Sequence, residues 1–249
     1  MQKLFLASLF KDVSRLFVDF ANENFVGKTV TFIPTAALPD KLNFHVKYCK
    51  ELLSKLGLIV DELEISTATH SDIVKKLENN DYIYVTGGNT FFLLQEMNRS
   101  GAGNLIKTQI NAGKLFIGES AGAVLLAPDI EYSRDMDNPL AAPQLKTFEA
   151  LNVIDFYPVP HYKEYPLKKA VELVISKYNT ELPLVPFSNS QAILVMGKKK
   201  QIISKKSKIK LSGGSAGPPF FMKWGGLPPL YPTYQRRGDD SGGNIKRFP

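Results

Sequence analysis

The first 197 residues alternate short apolar runs with longer amphipathic segments, and this alternation limits the folds that the chain can adopt. Strands are predicted at residues 3–9, 29–34, 58–63, 82–86 and 115–118, and helices at residues 12–25, 40–56, 71–79, 90–97 and 105–112. Strands that alternate with helices favour a mostly parallel sheet with helices on both faces. We therefore predict an α/β fold whose functional site lies at the carboxyl ends of the strands.

The composition places the chain among soluble globular proteins and disfavours several functional classes. Its 249 residues are 44% hydrophobic and 22% charged, and no run of about 18 apolar residues predicts a membrane span. The N-terminal segment lacks a convincing cleavage site and reads as a strand rather than a signal peptide. The single cysteine, Cys49, allows no internal disulfide and favours a reducing, cytoplasmic location.

The positive charge is concentrated near the C-terminus. The net charge is +7, but residues 198–249 carry +10 and residues 1–197 carry −3. The main body therefore has no overall attraction for phosphate backbones, and we expect neither a nucleic-acid nor a membrane partner. Seven lysines between Lys198 and Lys210 could form a nucleic-acid arm, although a solvated strand pair is the favoured interpretation.

Residues 212–249 differ in composition from everything before them. They contain eight glycines and six prolines, which break both helix and strand periodicity, together with six aromatic residues that linkers usually lack. We place a boundary at 211/212 and interpret residues 212–249 as disordered or non-native, leaving a partner-binding segment as an alternative.

The motif that carries chemistry is G-x-S-x-G at residues 118–122, between a predicted apolar strand and an alanine-rich run. A serine in a sharp strand-to-helix turn is typical of a nucleophile, because flanking glycines relieve the close contacts of that turn. Ser120 is the candidate nucleophile, and the N–H of Ala121 is a natural donor to an oxyanion. The alternative is a glycine-rich turn with a capping serine.

A serine nucleophile needs a base, and the chain has three histidines. His45 is predicted within a helix and His70 just before one, whereas His161 follows an apolar strand downstream of Ser120. We therefore select His161 as the candidate base.

The sequence offers more than one candidate for the group that orients the histidine. Asn189 follows a further strand and could hydrogen-bond an imidazole, while Asp135 and other nearby loop aspartates have turn formation as their ordinary role. No His, Cys, Asp or Glu residues have the spacing of metal ligands, so neither a metal nor another cofactor is expected.

Four segments in this order resemble one family. They are residues 85–90 (VTGGNT), 118–123 (GESAGA), 160–162 (PHY) and 190–193 (SQAI), and together they resemble peptidase family S51, which includes dipeptidase E and cyanophycinase. The resemblance covers roughly residues 1–204 and implies a three-layer, flavodoxin-like α/β sandwich similar to class I glutamine amidotransferase domains.

The resemblance also implies an activity and a set of site residues. It implies a serine exopeptidase for short peptides, including dipeptides with N-terminal aspartate, acting without a cofactor as a monomer or homodimer. Ser120 would be the nucleophile, His161 the base and Asp135 an acidic partner. The turn Gly87, Gly88 and Asn89 would bind substrate, with the Gly88 N–H joining that of Ala121 in the oxyanion hole.

Two departures from the family pattern concern rate and specificity. Asn189 stands where members usually carry Glu or Asp, and an amide can hold an imidazole tautomer without stabilising imidazolium by charge. Asp135 or Glu181 could supply that charge instead. Dipeptidase E has an arginine-containing segment after the histidine, and this segment is associated with binding aspartate. Residues 163–169 of this chain contain no arginine. The sequence therefore does not fix which substrate side chain is preferred.

Three alternatives to a peptidase follow from the same residues. A catalytically weak or inactive binding module for small molecules or peptides is suggested by Asn189 and the unusual C-terminal segment. Nucleic-acid binding through the basic segment is a second alternative. An α/β-hydrolase esterase, with Asp135 or Asp155 as the acid, is a third and is disfavoured by the Gly-Gly-Asn-Thr turn.

Overall fold

The structure is a computed structural model that describes residues 1–40 and 44–205. Its strands are β1 (Lys3–Ala7), β2 (Thr29–Ile33), β3 (Ile59–Glu62), β4 (Tyr82–Val85), β5 (Leu115–Glu119), β6 (Tyr157–Val159), β7 (Leu184–Pro186), β8 (Gln191–Met196) and β9 (Lys199–Ser204). Its α-helices are α1 (Phe10–Ala21), α2 (Phe44–Lys55), α3 (His70–Asn79), α4 (Thr90–Ser100), α5 (Ala102–Asn111), α6 (Ala121–Val124) and α7 (Lys168–Tyr178).

Seven strands form the central sheet in the order β3-β2-β4-β5-β1-β8-β9. The first five are parallel, β8 runs antiparallel to β1, and β9 runs antiparallel to β8. The chain leaves β2 outward to β3 and returns on the other side of β2 to form β4. Such a change of direction separates the loops at the carboxyl ends of neighbouring strands and opens a crevice there.

Helices cover both faces of this sheet, as the alternation of strand side chains requires. In β1, Phe5 and Ala7 pack with α1 and α2, whereas Leu4 and Leu6 pack with helices α3 to α7 on the opposite face. The predicted mostly parallel sheet with helices on both faces is confirmed, and the described residues form a three-layer α/β sandwich. Its layers bring the ends of β1, β4 and β5 to one edge.

A separate two-stranded sheet positions two further candidate site residues, His161 and Asn189. Strands β6 and β7 are parallel, with Tyr157 opposite Leu184 and Val159 opposite Pro186. The pairing continues beyond the strands, since the Tyr162 N–H donates to the Phe187 carbonyl at 3.1 Å. Because the strands are parallel, the segments that follow them, around residues 161 and 189, emerge side by side.

The observed elements agree with the predicted ones apart from their ends. Helix α1 ends at Ala21 rather than at residue 25, because Asn22 adopts a left-handed conformation (φ 50°) and its N–H donates to the Val18 carbonyl. Within residues 1–40 and 44–205, no helix is long and apolar enough to cross a membrane. The predicted boundary at 211/212 and the segment 212–249 lie outside the described residues.

Candidate active site

Ser120 occupies a sharp turn between β5 and α6. Its backbone angles, φ 49° and ψ −107°, are strained for a non-glycine residue and hold the side chain half-exposed at the sheet edge. The turn needs both of its glycines: a Cβ on Gly118 would lie 2.6 Å from the Gly122 carbonyl oxygen, and one on Gly122 would lie 2.3 Å from that of Val85. The expected helix after the serine is only the four residues of α6.

The side chain of His161 lies directly beside this serine. Its Nε2 is 2.9 Å from Ser120 Oγ, and its Nδ1 is 2.9 Å from Asn189 Oδ1. His161 follows β6 and Asn189 follows β7, so the parallel pairing of these two short strands explains how residues 28 positions apart meet. When Nδ1 carries the proton that Asn189 accepts, the Nε2 lone pair faces Ser120 and can take its proton.

Ser8, which no motif marks in the sequence, lies at the centre of this group. Its hydroxyl donates to Asn189 Oδ1 at 2.7 Å, accepts the backbone N–H of His161 at 2.8 Å and lies 3.1 Å from His161 Nδ1. Ser8 directly follows β1, and β1 pairs with β5, which carries the nucleophile. The predicted strand 3–9 contained Ser8, whereas β1 ends at Ala7, and the adjacency of β1 and β5 could not be predicted from the sequence.

The turn after β4 lies against the nucleophile. A Cβ on Gly87 would lie 3.1 Å from Ser120 Cβ, and Gly88 has a φ of 138°. The Asn89 N–H donates to the Ala36 carbonyl at 2.7 Å, which holds the turn to the segment after β2. Gly87 therefore lies beside Ser120, and the oxyanion roles of the Gly88 and Ala121 N–H groups stay predictions.

The side chain of Asn89 has partners within the protein at both ends of its carboxamide. Its Oδ1 accepts the Phe92 N–H at 2.9 Å, which caps the N-terminus of α4, and its Nδ2 donates to the Asn138 carbonyl at 2.9 Å. Asp137 accepts from both the N–H and the hydroxyl of Thr90. These contacts attach the loop containing residues 137 and 138 to the Gly-Gly-Asn-Thr turn.

The structure does not bring the carboxylates considered above to His161. Asp135 accepts from Lys177 Nζ at 2.8 and 3.0 Å, which ties its 3-10 turn (Glu131–Asp135) to α7. Glu181 and Asp155 are exposed. Among the described residues, the side-chain hydrogen-bond partners of the imidazole are Ser8, Ser120 and Asn189. Asn189 therefore holds the position beside Nδ1 for which Asp135 was an alternative.

A buried carboxylate stands next to the nucleophile in sequence. Glu119 is 2% exposed and accepts from the Phe10 N–H at 2.8 Å, the Tyr84 hydroxyl at 2.8 Å and the Cys49 thiol at 3.4 Å. Burial raises the pKa of Cys49 and that of Tyr84, and the nearby Glu119 charge adds to both shifts. The thiol of Cys49 therefore stays protonated at neutral pH and is a poor nucleophile.

A small cavity lies beside this carboxylate. Its volume is about 270 Å³, and it is lined by Leu9, Lys11, Phe44, His45, Tyr48, Cys49 and Glu119. His45, which was predicted only as a residue within a helix, has its Nε2 3.4 Å from the Gly87 carbonyl oxygen. A larger cavity of about 500 Å³ lies along α4, around Arg99, and neither cavity is lined by the residues grouped around His161.

Burial lowers the pKa of His161 below its usual value of 6.5, against the opposing effects of the Asn189 hydrogen bond and the Glu119 charge. The imidazole is therefore neutral at neutral pH, which is the form that can act as a base. Within residues 1–40 and 44–205, no group of three or more His, Cys, Asp or Glu residues is arranged to hold a metal ion.

The rate at which a fluorophosphonate labels Ser120 is expected to rise with pH and to reach half its maximum below pH 6.5. The reason is that only neutral His161 takes the serine proton, and its lowered pKa keeps it neutral under mildly acidic conditions. Intact-mass measurement of labelling between pH 4.5 and pH 9 checks this. In Asn189→Asp the added negative charge should move the midpoint upward, while a wild-type midpoint above pH 6.5 would contradict the prediction.

Comparison with known proteins agrees with the motifs and the geometry. The chain matches peptidase family S51 over residues 4–203. It is 50% identical to an uncharacterized peptidase of Pasteurella multocida over 202 residues, covering 81% of this chain and 97% of that protein. It is also 34% identical to peptidase E of Escherichia coli over 137 residues, covering 54% of this chain and 56% of that protein.

Solved structures give the same result. A crystal structure of a peptidase E candidate from Listeria monocytogenes superposes with a TM-score of 0.79 at 48% identity, covering 82% of this chain and 98% of that one. A peptidase from an acI-B1 actinobacterium has a TM-score of 0.58 at 17% identity, covering 82% and 88%, and shares the fold. The resemblance inferred from the motifs is confirmed, and the chain belongs to peptidase family S51.

Proposed function

We propose that this peptidase is a serine exopeptidase that hydrolyses short peptides through an acyl-enzyme on Ser120. The observation that carries the proposal is the 2.9 Å contact between Ser120 Oγ and His161 Nε2, with His161 Nδ1 held by Asn189 at 2.9 Å. A nucleophile, a base and a group that orients the base are the minimum set for this chemistry.

The reaction has two halves. Ser120 Oγ attacks the scissile carbonyl carbon while its proton passes to His161 Nε2, and the negative carbonyl oxygen accepts from the N–H groups of Gly88 and Ala121. His161 then gives the proton to the departing amine, which leaves as the C–N bond breaks. Water enters, loses a proton to the same Nε2 and attacks the ester, and the acid product leaves as Ser120 regains its proton.

The neutral Asn189 sets a limit on the rate. An amide oxygen fixes the Nδ1–H tautomer but supplies no charge to the imidazolium that forms during attack. The charge of Glu119 favours the imidazolium, yet burial outweighs it and the pKa of His161 stays low. We infer a functional base with a slower turnover than a carboxylate in the position of Asn189 would allow.

The substrate class proposed here comes from the family resemblance and not from a cavity, because the cavity of about 270 Å³ beside Glu119 is lined by none of Ser8, Ser120, His161 and Asn189. Dipeptides with N-terminal aspartate are the first substrates to test, because of the family resemblance. Lys163, Lys168 and Lys169 are exposed, and the Lys163 ammonium lies 5.1 Å from the centre of the Tyr162 ring. We also propose a cytoplasmic enzyme, on the basis of the single cysteine.

A dipeptide panel tests the proposal. Asp-Leu, Asn-Leu, Leu-Leu and N-acetyl-Asp-Leu would be incubated with micromolar enzyme, and released leucine would be measured by mass spectrometry. We expect cleavage of at least one free dipeptide. Faster cleavage of Asp-Leu than of the equally sized Asn-Leu would assign specificity to the carboxylate, and protection by the acetyl group would show recognition of the free amine.

The second candidate function is a peptide-binding module without catalysis, which the neutral Asn189 favours. It predicts that calorimetry detects dipeptide binding in the absence of any released leucine. That combination, obtained with folded wild-type protein, would overturn the exopeptidase proposal.

A further inference from the structure

Ser8 contributes its one hydroxyl to three groups of the site although it lies far from them in sequence. It is 1% exposed, so water does not compete for these contacts. The preceding residue is also engaged, because the Ala7 carbonyl accepts the Ser120 N–H at 2.9 Å. Two consecutive residues at the end of β1 therefore contact the nucleophile and the base.

At Asn189, one arrangement of the protons gives each neighbouring donor an acceptor and leaves His161 Nε2 free to accept. A carbonyl oxygen has two lone pairs, and Asn189 Oδ1 receives two protons, from the Ser8 hydroxyl at 2.7 Å and from His161 Nδ1 at 2.9 Å. The Ser8 oxygen in turn accepts the His161 backbone N–H at 2.8 Å. All three protons then have an acceptor, and Nε2 is left without a proton.

The opposite orientation of the Asn189 amide would exchange the donor and acceptor roles of the two His161 ring nitrogens. With the Asn189 NH₂ group toward His161, Nδ1 would have to accept, and the ring proton would move to Nε2, where it would face Ser120. The Ser8 hydroxyl would exchange its carbonyl acceptor at 2.7 Å for His161 Nδ1 at 3.1 Å, where it would compete with the NH₂ group. A carboxylate in position 189 would not face this choice, since its two oxygens are equivalent.

We propose that Ser8 is a positioning residue that keeps the Asn189 carbonyl oxygen on His161 Nδ1 and thereby holds the imidazole as the tautomer able to accept the Ser120 proton. This inference rests on the proposed Ser120–His161 mechanism and deepens it. Ser8 itself touches neither the scissile bond nor the nucleophile's proton and acts through Asn189 and the His161 backbone.

The test compares Ser8→Ala in two backgrounds, the natural Asn189 and Asn189→Asp. We expect Ser8→Ala to slow fluorophosphonate labelling about 10- to 100-fold with Asn189, as removal of a supporting partner commonly does. In the Asn189→Asp background, the same change should slow labelling less than about threefold, because the carboxylate needs no orientation. Circular dichroism and thermal melting would show that each variant is folded.

The imidazole tautomer provides a readout that a purely structural role would not move. Long-range ¹H–¹⁵N spectra distinguish Nδ1–H from Nε2–H rings, and the chain has only three histidines to assign. We expect His161 to be the Nδ1–H form in the wild type and to gain the Nε2–H form in Ser8→Ala. Should Ser8→Ala not fold, Ser8→Cys, which keeps the volume with a weaker donor, should show the same gain.

Two results would overturn this role. One is that Ser8→Ala slows labelling equally in the Asn189 and Asn189→Asp backgrounds. The other is that folded Ser8→Ala keeps the Nδ1–H tautomer of His161. Either result would mean that Ser8 contributes only packing. The spectra need neither probe nor peptide. If the wild type resists labelling while Ser8→Ala still gains the Nε2–H form of His161, the exopeptidase proposal is rejected and the positioning role is supported.

Discussion

Replacement of Ser120 with alanine is expected to abolish fluorophosphonate labelling and to lower dipeptide hydrolysis by on the order of 10⁴- to 10⁶-fold. Alanine removes the Oγ that lies 2.9 Å from His161 Nε2 and leaves nothing to form the acyl-enzyme. The intact mass after treatment with the probe should show one adduct on the wild type and none on the variant.

The matched control is Ser176→Ala on the outer face of α7. Ser176 is exposed, and its hydroxyl donates to the Leu173 carbonyl of its own helix at 2.8 Å, so its loss should leave labelling and turnover unchanged. An adduct retained in folded Ser120→Ala would show that another residue reacts. Dipeptide hydrolysis at the wild-type rate in that variant would reject the mechanism.

The nucleophile and the base could be predicted because each is marked by local sequence. Ser120 lies between two glycines directly after an apolar strand, and His161 follows another such strand. In an α/β fold with a parallel sheet, carboxyl ends of strands gather at one edge, so these two positions were expected to be close. The 2.9 Å separation of Ser120 Oγ and His161 Nε2 agrees with that expectation.

The third member of the site could not be chosen from sequence because the choice depends on tertiary pairing. Asn189, Asp135 and Glu181 all lie in polar segments within 70 residues of Ser120. The parallel pairing of β6 with β7 places Asn189 beside His161, whereas Lys177 on α7 holds Asp135. A strand of three residues such as β7 carries too little periodicity for its partner to be predicted.

The contributions of Ser8 and Glu119 depend on the order of strands in the sheet. A serine after the first strand and a glutamate inside a G-x-S-x-G motif have no distinctive pattern of their own. Only the placement of β1 beside β5 brings Ser8 to the base, and only the packing of α1 and α2 on one face brings Phe10 and Cys49 to Glu119. Non-local topology of this kind lies beyond hydrophobic periodicity.

Replacement of Gly88 with alanine is expected to damage both the fold and the turn proposed to hold the oxyanion. The added Cβ would lie 2.2 Å from the Ala36 carbonyl oxygen and 2.6 Å from the Ala37 nitrogen, and both atoms belong to the backbone and cannot rotate away. The φ of 138° adds strain for any residue with a side chain. We expect a loss of about 2–5 kcal/mol in the free energy of unfolding, from overpacking together with backbone strain.

Relief of that clash would displace the Gly88 N–H, the proposed oxyanion donor, and break the 2.7 Å bond from the Asn89 N–H to Ala36. Loss of one oxyanion donor should slow turnover on the order of 100- to 1,000-fold in the protein that still folds.

Gly27→Ala is the matched control, because Gly27 also has a positive φ (80°) but has no atom within 4 Å of the added Cβ. It should lower stability by about 1–2 kcal/mol through backbone strain alone and leave turnover unchanged. Urea denaturation and dipeptide kinetics on both variants separate the two effects, and equal losses at the two glycines would mean that strain, rather than the contact of Gly88 with Ala36, limits the site.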